Sequence, residues 1–352
     1  MRRWLIALAA VLASFANPPA HAQSVVLVGW CARTITSAAA PLAVASKMGW
    51  FRAAGFQVEL DPLGGSTACV EAVASGSLPY AIASIEPLAV MGPKDAGVRN
   101  FYTAYQGNIY GIAVPDESAI QSLGDLRGKR IGVTAMESGG VIVARALAAS
   151  AGLDPQHDIS IVVAGEGAQA AAMTAQEAVD ALSLYDVQYA MIEAAGVKLR
   201  MLDNSAIAHF PSNGFMAMDY TLAARRDEAV ALARGYAMGT VFTIANPEAA
   251  VRILHEVWPQ TVPNGMDEAL AVRQDLATLR ARIPNWQLAA GGVTRWGESS
   301  LANYAAYLAF LERNGVVRQP VAARDLVTNV LIPEINAFDA AQVAAAAKAY
   351  KP

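Results

Sequence analysis

FQVELDPLGGSTACVEAVASGSLPYAIAS, residues Phe56–Ser84, reads as strand, glycine turn, helix and strand in succession. Phe56–Leu60 alternates apolar and polar residues, with Val58 and Leu60 on one side, the period of a half-buried strand. Gly64 and Gly65 turn the chain, Ser66 or Thr67 is a natural N-cap, and Glu71 stands close to capping-box distance from Thr67. The helix formers of Ala68–Ala74 follow, Gly76 stops them, and Tyr80–Ala83 is the next strand. A βαβ unit of this kind aims a strand C-terminus and a helix N-terminus into one crevice. Free backbone N–H groups and the positive end of the helix dipole favour an anion there. An ordinary helix cap accounts for this stretch taken alone; a second copy further along weighs against that reading.

The first 22 residues precede the fold. Arg2 and Arg3 form a basic n-region, Trp4–Ala16 an apolar h-region, and Ala20-His21-Ala22 a small-x-small cleavage site. This is the pattern of a secretory signal peptide, too short in its apolar run for a membrane span; an uncleaved anchor is the alternative. Cys31 follows Val28-Gly29-Trp30 without a small-residue lipobox, which argues against a lipoprotein. No other apolar run approaches about 20 residues, so a soluble, periplasmic protein is expected. The chain carries a net charge of −4, and the leader takes two arginines and no acid with it. That excludes the basic surface on which nucleic-acid binding rests. The remaining length is more than one core usually supports, so two domains are expected.

Cys31 and Cys69 are the two cysteines. Cys31 follows the first strand and Cys69 lies in the first turn of the helix after Gly65, so neighbouring strands would bring them to one end of a sheet. An exported protein can bridge such a pair; two buried thiols are the alternative.

Along the chain, Val25–Trp30 is strand one, Pro41–Met48 a helix, and the quoted unit follows; Pro87 opens another helix at its first turn. The β-prone, aromatic Arg99–Ala113 is long enough to leave one domain for another. Ile131–Thr134, the polar turn Glu137-Ser138-Gly139-Gly140 and the helix Val141–Ala151 then repeat strand, glycine turn and helix. Further βα segments run to Leu202, and Gly214–Tyr220 is taken as the return crossing. From Arg225 the chain is helical: Asp227–Ala245, Pro247–Val257, Met266–Arg282, Ser299–Asn314, Ala322–Ile332 and a terminal helix at Val343–Lys351. Alternating β and α implies parallel sheets with right-handed crossovers. Two crossings between two sheets make a hinge, with the ligand in the cleft at the strand C-termini.

PLAVASKMGWFRAAGFQVEL, GGSTACVEAVASG, LGDLRGKRIGVTAMESGGVIVARALAASAGL and NPEAAVRIL occur in that order. This ordered set resembles the periplasmic substrate-binding proteins of the nitrate/sulfonate/taurine type, with their thiamine-pyrimidine-precursor relatives, over nearly all of the mature chain. The resemblance implies an α/β, type II periplasmic-binding-protein fold: two lobes with parallel-type sheets, a two-strand hinge and a helical C-terminal third. The expected division is a signal peptide at 1–22, lobe I at 23–110, lobe II at 111–219 and the helical remainder of lobe I at 220–352. It also implies reversible binding by a monomer, closure on a small solute, and delivery to the permease of an ABC importer in the inner membrane. The pyrimidine-synthesising relatives use a cysteine cluster, a sacrificed histidine and pyridoxal phosphate. This chain has no such cluster, and His21, His157, His209 and His255 are scattered. No metal, cofactor or catalytic residue is expected.

Position at strand C-termini and helix N-termini selects the candidate ligand residues: Trp30, Arg33, Ser66, Thr67, Ser84, Glu86, Ser138, Gly139, Tyr185 and Asp186. Hydroxyls, N–H groups and Arg33 suit a carboxylate or sulfonate, and Trp30 suits a ring. Trp30 is equally suited to the core, Arg33 to solvent or a pairing with Glu86, and Asp186 to a ligand donor or a helix cap; Tyr105 and Tyr110 suit hinge packing. The favoured ligand is a small organic anion, with a pyrimidine precursor as alternative. An enzyme of pyrimidine or menaquinone-type biosynthesis on the same scaffold is the rival, for which Lys47, Lys94 and Lys129 are the available lysines.

Overall fold

The protein is described here by a computed structural model covering residues 23–92 and 97–351. The leader at 1–22 and Lys94 lie outside the described residues.

Strand β1 (Ser24–Trp30) buries Val26 and Val28 and exposes Val25 and Leu27, the alternation its sequence prescribes. Strands β2 (Phe56–Pro62) and β3 (Tyr80–Ala83) pair with it in parallel, Val28 facing both Leu60 and Tyr80. Helices Ala40–Lys47 and Ser66–Ala74 make the crossovers. The sheet is completed by β4 (Val98–Thr103) and β10 (Gly214–Met218), in the order β2-β1-β3-β10-β4. The second lobe holds β5 (Ala113–Pro115), β6 (Lys129–Val133), β7 (Ile159–Val163), β8 (Ala181–Leu182) and β9 (Leu199–Met201), in the order β7-β6-β8-β5-β9.

The two sheets share one topology. In each, three strands run parallel, β1 with β2 and β3, and β6 with β7 and β8. In each, the fourth position is filled by an antiparallel strand that has just crossed from the other lobe: β5 against β8 and β9, β10 against β3 and β4. The sheets are therefore mixed rather than wholly parallel. A strand arriving from the facing lobe enters at the cleft end and must run against strands that finish there. Gly214–Met218, read as part of the crossing within 111–219, is a member of the first lobe's sheet. The two crossings lie side by side: Ala104 and Tyr105 donate to the Asn213 carbonyl at 3.0 Å each, and Ser212 donates to the Tyr105 carbonyl at 3.0 Å.

The helical third packs on the first sheet. Arg226–Ala245 ends at Asn246, whose side chain accepts from the Ala249 N–H at 3.2 Å and starts Pro247–Val257. The expected helix at Ala322–Ile332 is replaced by single turns at Ala323–Leu326 and Ile332–Ile335. Between them Val327 bridges Asn100 of β4 and the Thr328 N–H donates to the Asn100 carbonyl at 2.9 Å. The sheet edge takes this segment. The helix expected at Met266–Arg282 runs instead as Glu268–Trp286, and its extra turn carries Asn285 and Trp286. Among the described residues no helix is long and apolar enough to cross a membrane.

Cys31 and Cys69 form a disulfide with Cα atoms 5.9 Å apart, closing a separation of 38 residues. It ties the loop after β1 to the helix Ser66–Ala74. Replacing both cysteines with serine should cost about 4 kcal/mol in the chain-entropy account. Urea unfolding of the oxidised wild type and the double variant measures it; equal midpoints would sink the assignment.

Candidate functional site

Where the strand C-termini of the two lobes face each other, the structure holds a partly open cavity of about 30 Å³. Four aromatic residues wall it: Trp30 at the end of β1, Tyr105 and Tyr110 on the outgoing crossing, and Tyr185 after β8. The Trp30 ring N–H donates to the Thr34 carbonyl at 2.8 Å, folding the following loop under the indole. Tyr110 and Tyr185 meet edge to face, 6.2 Å between centroids, and their backbones form an antiparallel bridge. Ile82 and Ile109 add apolar surface; Thr36, Asn213 and Arg282 add polar groups.

Arg282 is 2% exposed and comes from the helical third. It meets Asp186, the first residue of helix Asp186–Ala194 in the other lobe. Nε donates to the two carboxylate oxygens at 3.0 and 2.7 Å, Nη2 donates to Oδ1 at 2.6 Å, and Asn285 Nδ2 adds a fourth bond at 2.9 Å. The guanidinium also sits 4.0 Å over the Tyr105 ring, a cation–π contact. Burial alone would lower the Arg282 pKa; the adjacent Asp186 carboxylate more than offsets this and raises it. The positive charge in the cavity wall is thus matched from inside the protein. Asp186 was assigned to the ligand from its position after a strand, and the structure commits it to Arg282. Arg282 itself was missed, because an arginine fourteen residues past the start of a helix carries no local sign of where that helix docks.

The lobes touch directly elsewhere along the cleft. Thr67 N–H, at the helix N-terminus singled out from sequence, donates to the Glu137 carbonyl at 3.0 Å. The N–H groups of Arg33 and Thr34 donate to the Glu166 carboxylate at 3.0 and 3.1 Å, and the Thr34 hydroxyl does so too. Two glycines allow this approach: a Cβ on Gly65 would stand 2.5 Å from the Glu137 carbonyl oxygen, and one on Gly139 would stand 2.8 Å from both the Ser84 and Tyr110 hydroxyls.

The candidates from sequence divide accordingly. Trp30 and Tyr185 line the cavity, and so do Tyr105 and Tyr110. Ser66, Thr67, Ser84, Ser138 and Gly139 gather on the seam between the lobes. Ser66 Oγ accepts from the Ser84 N–H at 3.1 Å, while the Ser84 and Ser138 hydroxyls are buried without a hydrogen-bond partner. Arg33 is exposed at the rim and does not pair with Glu86. Glu86 is fully buried behind the seam, where one oxygen accepts from the Tyr307 hydroxyl and the other has no partner. Burial pushes the Glu86 carboxyl above its ordinary range, and the neighbouring Ser84 and Tyr307 hydroxyls only partly offset this. Lys47 pairs with Glu256 on the surface, and neither it nor Lys129 borders the cavity.

The model of the family described as NMT1/THI5 like matches residues 36–250. No curated protein sequence matches the chain. Among solved structures, the alkanesulfonate-binding protein SsuA from Xanthomonas axonopodis pv. citri, bound to MOPS, superposes with a TM-score of 0.64 at 18% identity, over 87% of this chain and 98% of that one. The periplasmic nitrate-binding protein NrtA from Synechocystis PCC 6803 gives 0.61 at 14% identity, over 89% and 88%. The desulfurization enzyme DSZB gives 0.53 at 18% identity, over 88% and 98%. At these identities the likeness establishes the fold, the two-lobed periplasmic-binding-protein architecture.

The raised Glu86 pKa has a signed consequence. The folded state keeps the proton to higher pH than the unfolded chain, so the stabilisation is complete below the ordinary value of 4.5 and is lost as pH rises through the folded value. Glu86→Gln, which still accepts from Tyr307, should therefore gain stability relative to wild type as pH climbs above 4.5. Melting curves of both proteins from pH 4 to 8 test this; a difference that stays flat would refute the buried, proton-retaining carboxyl.

Proposed function

The chain belongs to the NMT1/THI5-like family, and from that premise we propose that it is a solute-binding protein that closes its lobes on a small organic molecule and hands it to the permease of an ABC importer. The leader at 1–22 supports export to the periplasm. The observation that carries the reading is the aromatic-walled cavity between facing strand ends, with walls from both lobes. A molecule bound there contacts both lobes only when they are closed, so it stabilises closure by its differential affinity for that state. SsuA, named as alkanesulfonate-binding, and NrtA, named as periplasmic and nitrate-binding, support the same role.

The head group we infer is a planar or compact polar group without net negative charge. Arg33 stays at the rim, the Thr67 N–H is satisfied by Glu137, and Arg282 is neutralised by Asp186. A bare anion beside that pair would add an unmatched buried charge, a cost of several kcal/mol. Rings stacking on Trp30, Tyr105, Tyr110 or Tyr185, with donors and acceptors toward Asn213 and Thr36, fit better. This departs from the organic anion favoured by the sequence and agrees with its pyrimidine alternative. Binding without turnover is the proposed activity, although DSZB places an enzyme on this fold; pyridoxal phosphate should leave no aldimine absorbance.

Native mass spectrometry of protein purified from the periplasm without dialysis tests the role. The expected result is a discrete added mass lost on denaturation, and a solute identified this way should stabilise the protein by about 2.7 kcal/mol at 100 times its Kd. An unmodified mass, with no stabilisation from a screen of heterocycles and anions, would overturn it. The charge argument has its own test. Asp186→Asn should cost about 3–5 kcal/mol, and millimolar methanesulfonate should restore part of that loss while leaving wild type unchanged. Equal stabilisation of both proteins would show that Arg282 is available to anions after all.

A further inference from the structure

The cavity of about 30 Å³ has room for a pair of waters or a small head group, not for a whole solute. Beyond Thr36, which lines both spaces, lies a chamber of about 750 Å³ opening between the lobes, within the range that holds ligands of ordinary size. The two spaces share a wall. On helix Glu268–Trp286, Ala271, Gln274, Asp275 and Thr278 face the chamber and Arg282 faces the cavity. Those positions recur at three- and four-residue intervals, so they form one stripe. Eleven residues separate its ends, or about 16 Å of helix. The opposite wall repeats the arrangement. Tyr185 borders the cavity, and Met191 and Ala194 of the helix begun by Asp186 border the chamber.

Ile35, Leu60, Ala271, Met191 and Met266 give the chamber apolar wall. Methionine adapts its shape to apolar guests. Its two carboxylates are already engaged, and Arg33 stands exposed at its rim. Glu166 is held by the N–H groups of Arg33 and Thr34, and Asp275 accepts from His255 Nε2 at 2.6 Å. The chamber thus presents hydrocarbon surface next to a polar cavity, with no unmatched carboxylate to hold an ion.

We propose that the chamber is the tail compartment of the ligand site, and that the solute is amphipathic: a compact polar head in the aromatic cavity and an apolar chain or ring system along the Ala271–Thr278 stripe. This rests on the solute-binding reading above and extends it to the size and chemistry of the solute. Burying the tail against both lobes adds to closure without needing a charge.

Homologous 1-alkanols and primary alkanamides from two to eight carbons serve as probes, read by calorimetry and thermal shift. Each buried methylene should tighten binding about 4-fold, so the series should span on the order of 10³-fold in the wild type. Ala194→Trp places an indole in the chamber from the exposed end of its helix, far from the cavity. It should flatten the chain-length dependence while leaving the shortest probes as they were. Ala195→Trp, one residue further, gives an independent copy of the test should the first variant unfold. A wild-type series that does not depend on chain length, with the short probes still binding, would overturn the tail compartment alone. A steep series that both tryptophans leave intact would place the tail elsewhere and overturn it as well. No binding by any probe, together with no added mass on protein from the periplasm, would bring down the solute-binding reading and this inference with it.

Discussion

The ion pair between Arg282 and Asp186 sets the geometry of the closed molecule. It joins the helical third of one lobe to the first turn of a helix in the other, and it is buried. Removing two ions from water costs several kcal/mol each, so such a pair persists only with near-complete hydrogen bonding. Here the carboxylate receives three bonds from the guanidinium and one from Asn285, while Tyr105 covers the cation's face. When the lobes separate, both ions regain water. The pair therefore fixes how the lobes meet more than how strongly they meet. A closure that is nearly balanced without a guest is one that a guest's contacts can tip.

The same economy governs the rest of the seam. Lobe I contributes N–H donors from Arg33, Thr34 and Thr67; lobe II contributes the Glu137 carbonyl and the Glu166 carboxylate. A helix N-terminus that faces a cleft must find an acceptor, and in the closed molecule a backbone carbonyl from the opposite lobe supplies it. The glycine at 65 is what lets that carbonyl come so near. The feature that made this stretch look like an anion site is thus satisfied by the protein itself.

Most of the framework was legible because its signals are local. Alternation in Val25–Trp30 and Phe56–Leu60, the Gly64-Gly65 and Gly139-Gly140 turns, and the Asn246-Pro247 break each act within a few residues, and the order of βα units carried the two-lobed fold. The Cys31–Cys69 bridge followed from placing both residues at one sheet end. What sequence left dark depends on partners far along the chain. The place of Gly214–Met218 in the first sheet is set by Ala83 and Thr103. The break at Val327 is set by Asn100. Within the site, Trp30 and Tyr185 follow from strand ends, whereas the partners of Asp186 and Glu86, Arg282 and Tyr307, lie 96 and 221 residues away and leave no local sign.

Those distant pairings decide what kind of selectivity the cleft has. Close to it, apart from the exposed Arg33, the charges are matched: buried Arg282 by Asp186, and half-buried Glu166 and Asp275 by backbone N–H groups and His255. What remains unmatched is uncharged, the hydroxyls of Ser84 and Ser138, together with a Glu86 carboxyl that burial holds toward its protonated form. An unsatisfied buried polar group costs about 1–3 kcal/mol. A guest that bridges the seam and completes these bonds recovers that cost, and one that offers hydrocarbon there does not. A site whose charges are spent and whose hydroxyls are open discriminates by hydrogen-bond pattern and shape, with little dependence on salt. In that respect it differs from a site built on a free cation, where screening would weaken the principal contact.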